Sequence, residues 1–262
     1  MSRGGKGILS QNGKDFIDIL EHLRPSKHAY EVFNDWLVLA AASLYSWKRD
    51  KAVEEEYLHI ASQYSKEELE NHGRLFAITV NALEENEGDF LGEVFTFAEL
   101  CNSRTGQFFT PYHISHMMAK MTMSEKEPPQ NRICKISDPC CGAGGMLIAS
   151  AMAMKEMGLN FQQNALFVGT DIDARCARMA FIQLSLLGAP AVIICGDTLA
   201  LKTYWQRETI GYHIACMDIR LRAEKLIDDA EKSEQPIPAQ IKESEPVEVI
   251  LPQKELVQGE LF

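Results

Sequence analysis

Asp138-Pro139-Cys140-Cys141-Gly142-Ala143-Gly144-Gly145 is the stretch of this chain whose residue types and spacing bear most directly on chemistry. Closely spaced glycines let a backbone approach a ligand, and the apolar run from Met146 opens a helix whose first N–H groups lack partners within it. Many cofactors are held by such a turn. It reads equally as a tight strand-to-helix turn that holds nothing.

Two acidic segments follow. In Gly169-Thr170-Asp171-Ile172-Asp173, a carboxylate at the end of an extended run can accept from both ribose hydroxyls of a nucleoside lying across a sheet edge. Asp171 suits that role because the strand is still extended there, whereas Asp173 suits a helix amino cap. The other reading makes both of them caps or turn residues. In Gly196-Asp197-Thr198-Leu199, Asp197 can accept from an exocyclic amine, although a Gly-Asp pair taken alone is a turn. Upstream lies Gly106-Gln107-Phe108-Phe109-Thr110-Pro111. Thr110 makes a good amino cap and Pro111 a good first helical residue, predicting a helix through Met123. Its stripe of Ile114, Met117, Met118 and Met121 reads as packing, and the segment can be simply a capped helix.

These residues need a frame. Residues 133–137, 165–170 and 191–195 are short apolar runs that predict strands. Amphipathic stretches, one through Met157 with Gly158 as its stop and one from Asp173 to Leu187 ended by Gly188, predict helices between them. Strand, helix, strand, helix, strand is the pattern of a nucleotide-binding half-sheet, which places the three loops on one edge. The fold class is therefore α/β, a shortened Rossmann-like sheet preceded by a helical amino-terminal region.

Residues 1–100 form that helical region. Phe16, Ile19, Leu20 and Leu23 recur at helical spacing before Pro25, and Val32, Phe33, Trp36, Leu37, Ala40, Ala41 and Leu44 make a second stripe. Ser65 and Glu68 form a capping box that opens a third helix through Leu83. The aromatic residues fall on these stripes, so they read as core and not as a base-stacking surface. Residues 101–222 form the sheet domain. Residues 223–262 are charged, contain Pro236, Pro238, Pro246 and Pro252, and read as an acidic, largely disordered tail.

Composition narrows the partners. Of the net charge of −11, six units belong to the tail, so the remaining body carries −5 and has no basic excess to bind phosphates. Action on DNA would need a partner or a local basic patch. The chain has no run of apolar residues long enough to span a bilayer and no secretory leader, so a cytoplasmic location is expected. Seven cysteines without a Cys-x-x-Cys pair read as reduced, buried side chains, and no metal site is expected.

Taken in this order, the four segments resemble the adenine-N6 DNA methyltransferases, most closely the modification subunits of type I restriction–modification systems. The resemblance covers roughly residues 89–200, and Asp89-Phe90-Leu91-Gly92 sits where that family keeps a helical domain. It implies that the cofactor is S-adenosyl-L-methionine. Thr110 and the Gly142–Gly145 loop would hold its methionine part, Asp171 the ribose and Asp197 the adenine. Phe109, Asp138, Cys140, Gly142, Gly144, Gly145, Ile172 and Thr198 complete the implied contact set.

The family's catalytic Asn/Asp-Pro-Pro-aromatic motif has no counterpart here. Pro128-Pro129 precedes the cofactor loop and is followed by Gln130. The expected place falls near Tyr212–Asp218, which reads as a fourth strand with Asp218 at its end, either a substitute acceptor or a turn residue. Without acceptors aimed at its protons, the delocalised adenine amine is a poor nucleophile. Three functions follow: a DNA adenine-N6 methyltransferase, with or without a partner subunit, an S-adenosylmethionine-binding accessory protein without turnover, or a clamp-associated interaction protein that keeps the fold mainly as a scaffold. A methyltransferase for RNA or a small molecule is a further class. The terminal Gln258-Gly259-Glu260-Leu261-Phe262 resembles peptides that dock on the bacterial sliding clamp through Gln258, Leu261 and Phe262, or is an unremarkable terminus.

Overall fold

The structure, a computed structural model, describes residues 9–86, 88–98, 109–123 and 132–234. One compact unit runs from Met1 to Glu224 and a second from Lys225 to Phe262.

The amino-terminal helices form where caps and apolar stripes coincide. Helix α1 (Gln11–Leu23) starts at Ser10, whose hydroxyl accepts from Gly13 N at 3.1 Å, and buries Phe16, Leu20 and Leu23. Helix α2 (Ala29–Tyr45) is buried along most of its length. Phe16, Phe33 and Trp36 meet with ring centroids 5.1–6.2 Å apart, which centres the helical core on α1 and α2. Helix α3 (Lys51–Ala61) has no buried residue and sets only the half-buried Val53 and Ile60 against the core. It forms on local grounds, with Asp50 capping Ala52 and Val53. Glu56 then ties it down, lying 2.7 Å from Arg178 and 3.7 Å from the buried Arg207. Helix α4 (Lys66–Asn86) opens on the expected capping box, with Ser65 N donating to Glu68 at 2.7 Å and Glu68 N to the Ser65 hydroxyl at 3.2 Å. Helix α5 (Phe90–Phe97) is capped by Asp89.

Helix α6 spans Tyr112–Met123, beginning one residue after Pro111. The expected packing stripe is corrected here: Met117, Met118 and Met121 are 53%, 46% and 64% exposed. The helix instead buries Ser115 and Ala119, and Ala119 packs with Ala149 and Ala153. Small side chains bring two helices close together, and that contact outweighs the larger methionines.

Strands β1 (Cys134–Asp138), β2 (Ala165–Asp171) and β3 (Ala191–Asp197) are parallel neighbours, pairing Asp138 with Gly169 and Asp171 with Cys195. Helix α7 (Gly145–Glu156), the short α8 (Phe161–Asn164) and helix α9 (Ala174–Leu186) connect them. Strand alternation sends Ile136, Phe167, Ile193 and Cys195 to the face covered by α7 and α9. That core is continuous with Phe16, Phe33 and Trp36.

The fourth strand is not where the sequence placed it. Strand β4 (Lys202–Glu208) runs antiparallel to β3, giving the order β1-β2-β3-β4. Residues 212–218, expected to be a strand, form helix α10 (Ile210–Ile214) and the start of helix α11 (Met217–Glu234). Thr209 decides this locally, because its hydroxyl caps Tyr212 N while also accepting from Ala191 N at 2.9 Å. Tyr212, Met217 and Leu221 then cover the second sheet face at Ile133, Leu166, Val168 and Val192.

Among the described residues no helix is long and apolar enough to cross a membrane. Cys141, Cys176 and Cys195 are buried as expected, but Cys140 and Cys216 are exposed, because each stands in a turn.

Candidate cofactor site

Three parallel strands in register end side by side, and each ends on an aspartate: Asp138, Asp171 and Asp197. Hydrogen bonds join the loops that follow. Cys141 N donates to Thr170 O and Gly142 N to Asp171 Oδ2, both at 2.9 Å. The Thr198 hydroxyl donates to Pro139 O at 2.7 Å, so the loop after β3 also grips the loop after β1. The segments singled out at 138–145, 171–173 and 197–198 are thereby brought together.

Within this cluster each carboxylate also shapes its own turn. Asp138 accepts from Cys140 N at 3.0 Å, and Asp197 accepts from Leu199 N and Ala200 N at 3.0 and 2.9 Å. Asp173 caps α9 through Arg175 N and pairs with the Arg175 guanidinium, which rests 4.8 Å from the Tyr30 ring centroid. Asp171 differs. It accepts only backbone N–H groups, from Gly142 and from Asp173 at 2.9 Å, and among the described residues no cation pairs with it. Burial pushes its carboxyl above the usual carboxylate range, the two N–H donors oppose this, and the Asp173 and Asp138 charges add to it.

The loop itself is tightly built. Gly142 has φ +56° and Gly144 φ +93°, in the left-handed region that side chains avoid. A Cβ on Gly142 would stand 2.6 Å from the Phe109 ring, so the glycine also lets that aromatic lie over the loop. Phe109 in turn meets Phe95 with centroids 5.6 Å apart. Thr110 is exposed just before α6. The first amides of α7, at Gly145, Met146 and Leu147, precede its first internal bond, Ile148 N to Gly144 O. Ile172 and Leu199 stand on neighbouring loops at 62% and 97% exposure, two apolar side chains held in solvent beside the acids. Burial drives the Cys141 thiol well above the ordinary thiol range, leaving it inert.

Asp218 falls elsewhere. It lies in the first turn of α11, and its carboxylate accepts from the Tyr212 hydroxyl at 2.8 Å. Its neighbour Met217 packs on Ile133 and Leu166, at the amino ends of the strands, whereas the aspartates of the loops stand at the carboxyl ends. The strand end on which an acceptor role was expected does not exist there. Gly106, Gln107, Phe108, Pro128-Pro129 and Gln258–Phe262 lie outside the described residues. A cavity of about 610 Å³ between α2 and α3, lined by Tyr45, Asp50 and Tyr57 among others, is remote in sequence from these loops and contains none of their residues.

The sequence profile of the family described as N-6 DNA methylase matches residues 86–228, more than half of the chain. The chain belongs to the N-6 DNA methylase family. Its match begins just before the Asp89 cap of α5 and includes every loop of the site.

Solved structures similar to it include the following two. One, described as a class I S-adenosylmethionine-dependent methyltransferase from Listeria monocytogenes, is 15% identical with a TM-score of 0.39, over 69% of this chain and 52% of that one. The other, a type I restriction-modification system methyltransferase subunit from Streptococcus thermophilus, is 13% identical with a TM-score of 0.33, over 69% and 55%. The chain spans about half the length of each.

Two residues of the site were not found from sequence. Asp89 and Gln183 are buried beneath the glycine loop, and Gln183 donates to the Ala143 carbonyl at 2.9 Å. The one signal was a polar residue inside the apolar run Phe181-Ile182-Gln183-Leu184.

Proposed function

We propose that this chain binds S-adenosyl-L-methionine across the ends of β1, β2 and β3 and serves in methylation of adenine N6 in DNA together with a partner subunit. The observation that carries the reading is the joining of three loops by Gly142 N–Asp171, Cys141 N–Thr170 and Thr198–Pro139, within a chain of the N-6 DNA methylase family.

The residues fit the cofactor chemically. The amides at the start of α7 suit the methionine carboxylate. Asp171 retains unused lone pairs for the ribose hydroxyls, since a carboxylate offers about four acceptor positions. Asp138 and Asp171 give the site a negative character that suits a sulfonium cation. Ile172 and Leu199 supply apolar surface for a purine. When bound, the cofactor supplies an electrophilic methyl group.

The acceptors for the adenine amine protons are assigned to the partner, because β4 runs antiparallel and, among the described residues, no further parallel strand ends beside β3 to present them. DNA affinity is assigned there as well, given the body charge of −5 that the sequence implies. A second reading, an accessory protein that binds the cofactor without turnover, is favoured by the antiparallel course of β4 and the helical course of 212–218. Calorimetric titration of S-adenosylmethionine, followed by radiolabelled methyl transfer to unmethylated DNA with and without neighbouring gene products, separates the two. Binding with transfer in the presence of a partner supports the enzyme; binding without transfer under any pairing supports the accessory protein; no binding rejects both.

A further inference from the structure

Gln183 lies in the last turn of α9 with 0% exposure, and both ends of its carboxamide are used. Its Oε1 accepts from Leu91 N at 3.0 Å, while its Nε2 donates to Asp89 Oδ1 at 2.8 Å and to Ala143 O at 2.9 Å. The partners dictate the amide's orientation, because a flip would set donor against donor at Leu91 and acceptor against acceptor at Ala143. Asp89 is 5% exposed, and its Oδ1 also takes Gly92 N at 3.0 Å. Its Oδ2 stands 2.8 Å from where a Cβ on Gly145 would lie, so the carboxylate occupies space that the first residue of α7 leaves open. A buried carboxamide and carboxylate thus connect the start of α5, the last turn of α9 and the glycine loop.

We propose that Gln183, backed by Asp89, is a positioning residue for the cofactor loop: by fixing the Ala143 carbonyl inward it sets the path of the loop and the outward direction of the amides that follow. This rests on the reading that the loop holds S-adenosylmethionine. The peptide between Ala143 and Gly144 is pinned at both ends, by Gln183 at its carbonyl and by Cys141 O, which accepts from Gly144 N at 2.8 Å. Gly142 is pinned by Asp171. A glycine-rich loop left free would lose much conformational entropy on binding, and ordering it beforehand removes that cost. Burial raises the Asp89 carboxyl above its ordinary range, and its two donors, Gln183 and Gly92, oppose that shift.

The test uses calorimetric titration of the full chain with S-adenosylmethionine and, separately, with adenosine, which lacks the methionine part. Gln183→Leu should weaken S-adenosylmethionine about tenfold or more, as expected from losing the one of its three buried hydrogen bonds that reaches the loop, at Ala143 O, and should leave adenosine within about threefold of the parent. Gln183→Glu places a second carboxyl against Asp89. It should bind more weakly than the parent at high pH, where Glu93 adds to the charge around the pair, and regain affinity as pH falls, once the pair shares a proton and an O–H again donates. Thr79→Val, which removes a buried hydroxyl in α4, serves as a stability control and should retain affinity. If Gln183→Leu does not fold, Gln183→Asn, one methylene short of Ala143, replaces it. Parent-like affinity in the folded variant overturns the proposal. So does equal loss of adenosine and S-adenosylmethionine, or equal loss in Thr79→Val. A parent chain that binds neither ligand overturns the reading beneath it.

Discussion

The backbone amide of Gly142 donates to the Asp171 carboxylate at 2.9 Å, fastening the loop after the first strand to the end of the second. The same carboxylate accepts from Asp173 N, so one side chain organises both loops. Asp171→Ala leaves two partly buried N–H groups without acceptors. At ~1 kcal/mol net for each bond, the expected loss is about 2 kcal/mol of stability in urea denaturation. S-adenosylmethionine affinity should fall at least about tenfold, since the loop loses its anchor and, on the proposed reading, the ribose loses its acceptor. Unchanged affinity in a folded variant would remove Asp171 from the site.

Gly142→Ala meets two obstacles, the positive φ of +56° and the Phe109 ring 2.6 Å from the new Cβ. Strain in the left-handed region and the steric conflict together should cost on the order of 2 kcal/mol. Adding Phe109→Ala should return only the steric share. Full restoration in the double variant would mean that the backbone conformation contributes nothing.

His72 is 5% exposed, and burial lowers its pKa from 6.5 to about 4, with the Asp35 and Glu68 charges opposing the shift. A depressed folded pKa means that the stability is present above pH 6.5 and is lost as pH falls through about 4. At ~1.4 kcal/mol per unit, the contribution is on the order of 3 kcal/mol. His72→Leu should flatten that part of the stability profile, while the Trp36 indole keeps its bond to the residue 72 carbonyl. An unchanged acid limb in denaturation curves would show that His72 does not contribute to it.

Helix α6 separates size from burial. Met117→Ser, Met118→Ser and Met121→Ser, at exposed positions, should each change stability by less than about 0.5 kcal/mol. Ala119→Leu, at 4% exposure against Ala149 and Ala153, should cost about 1–3 kcal/mol. Thermal unfolding checks the order, and a reversed order would place the methionines in the interface.

Asp218→Asn should weaken the bond from the Tyr212 hydroxyl, whose pKa is pushed up to about 12 by burial and by that bond, and cost about 1 kcal/mol. S-adenosylmethionine affinity should be unaltered. A loss of affinity would put Asp218 within reach of the site after all.

What could be read from sequence follows from how local each signal is. Ser65 and Glu68 specify a cap within four residues, and Asp138–Gly145 specifies a strand-to-helix turn within eight, so both were legible. Strands β2 and β3 were legible because well-buried parallel strands are short apolar runs, and the half-exposed β1 because the glycine turn follows it directly. Strand β4 was hidden because its burial is sparse, with only Arg207 fully buried. Tyr212–Met217 mimicked a strand through its apolar content, while Thr209 and a contact to Ala191, remote in sequence, decided for helix. The methionine stripe of α6 misled for a related reason: hydrophobicity marks what can be buried, and small residues chose what was. Asp89 and Gln183, ninety-four residues apart, meet only in the folded chain.

The most direct test of the account follows backbone amide resonances while S-adenosylmethionine is added to the full chain. The account predicts the largest shifts at Gly142–Leu147, Asp171–Asp173 and Thr198–Leu199, all saturating together. Shifts confined to the cavity between α2 and α3, or none at saturating cofactor, would contradict it.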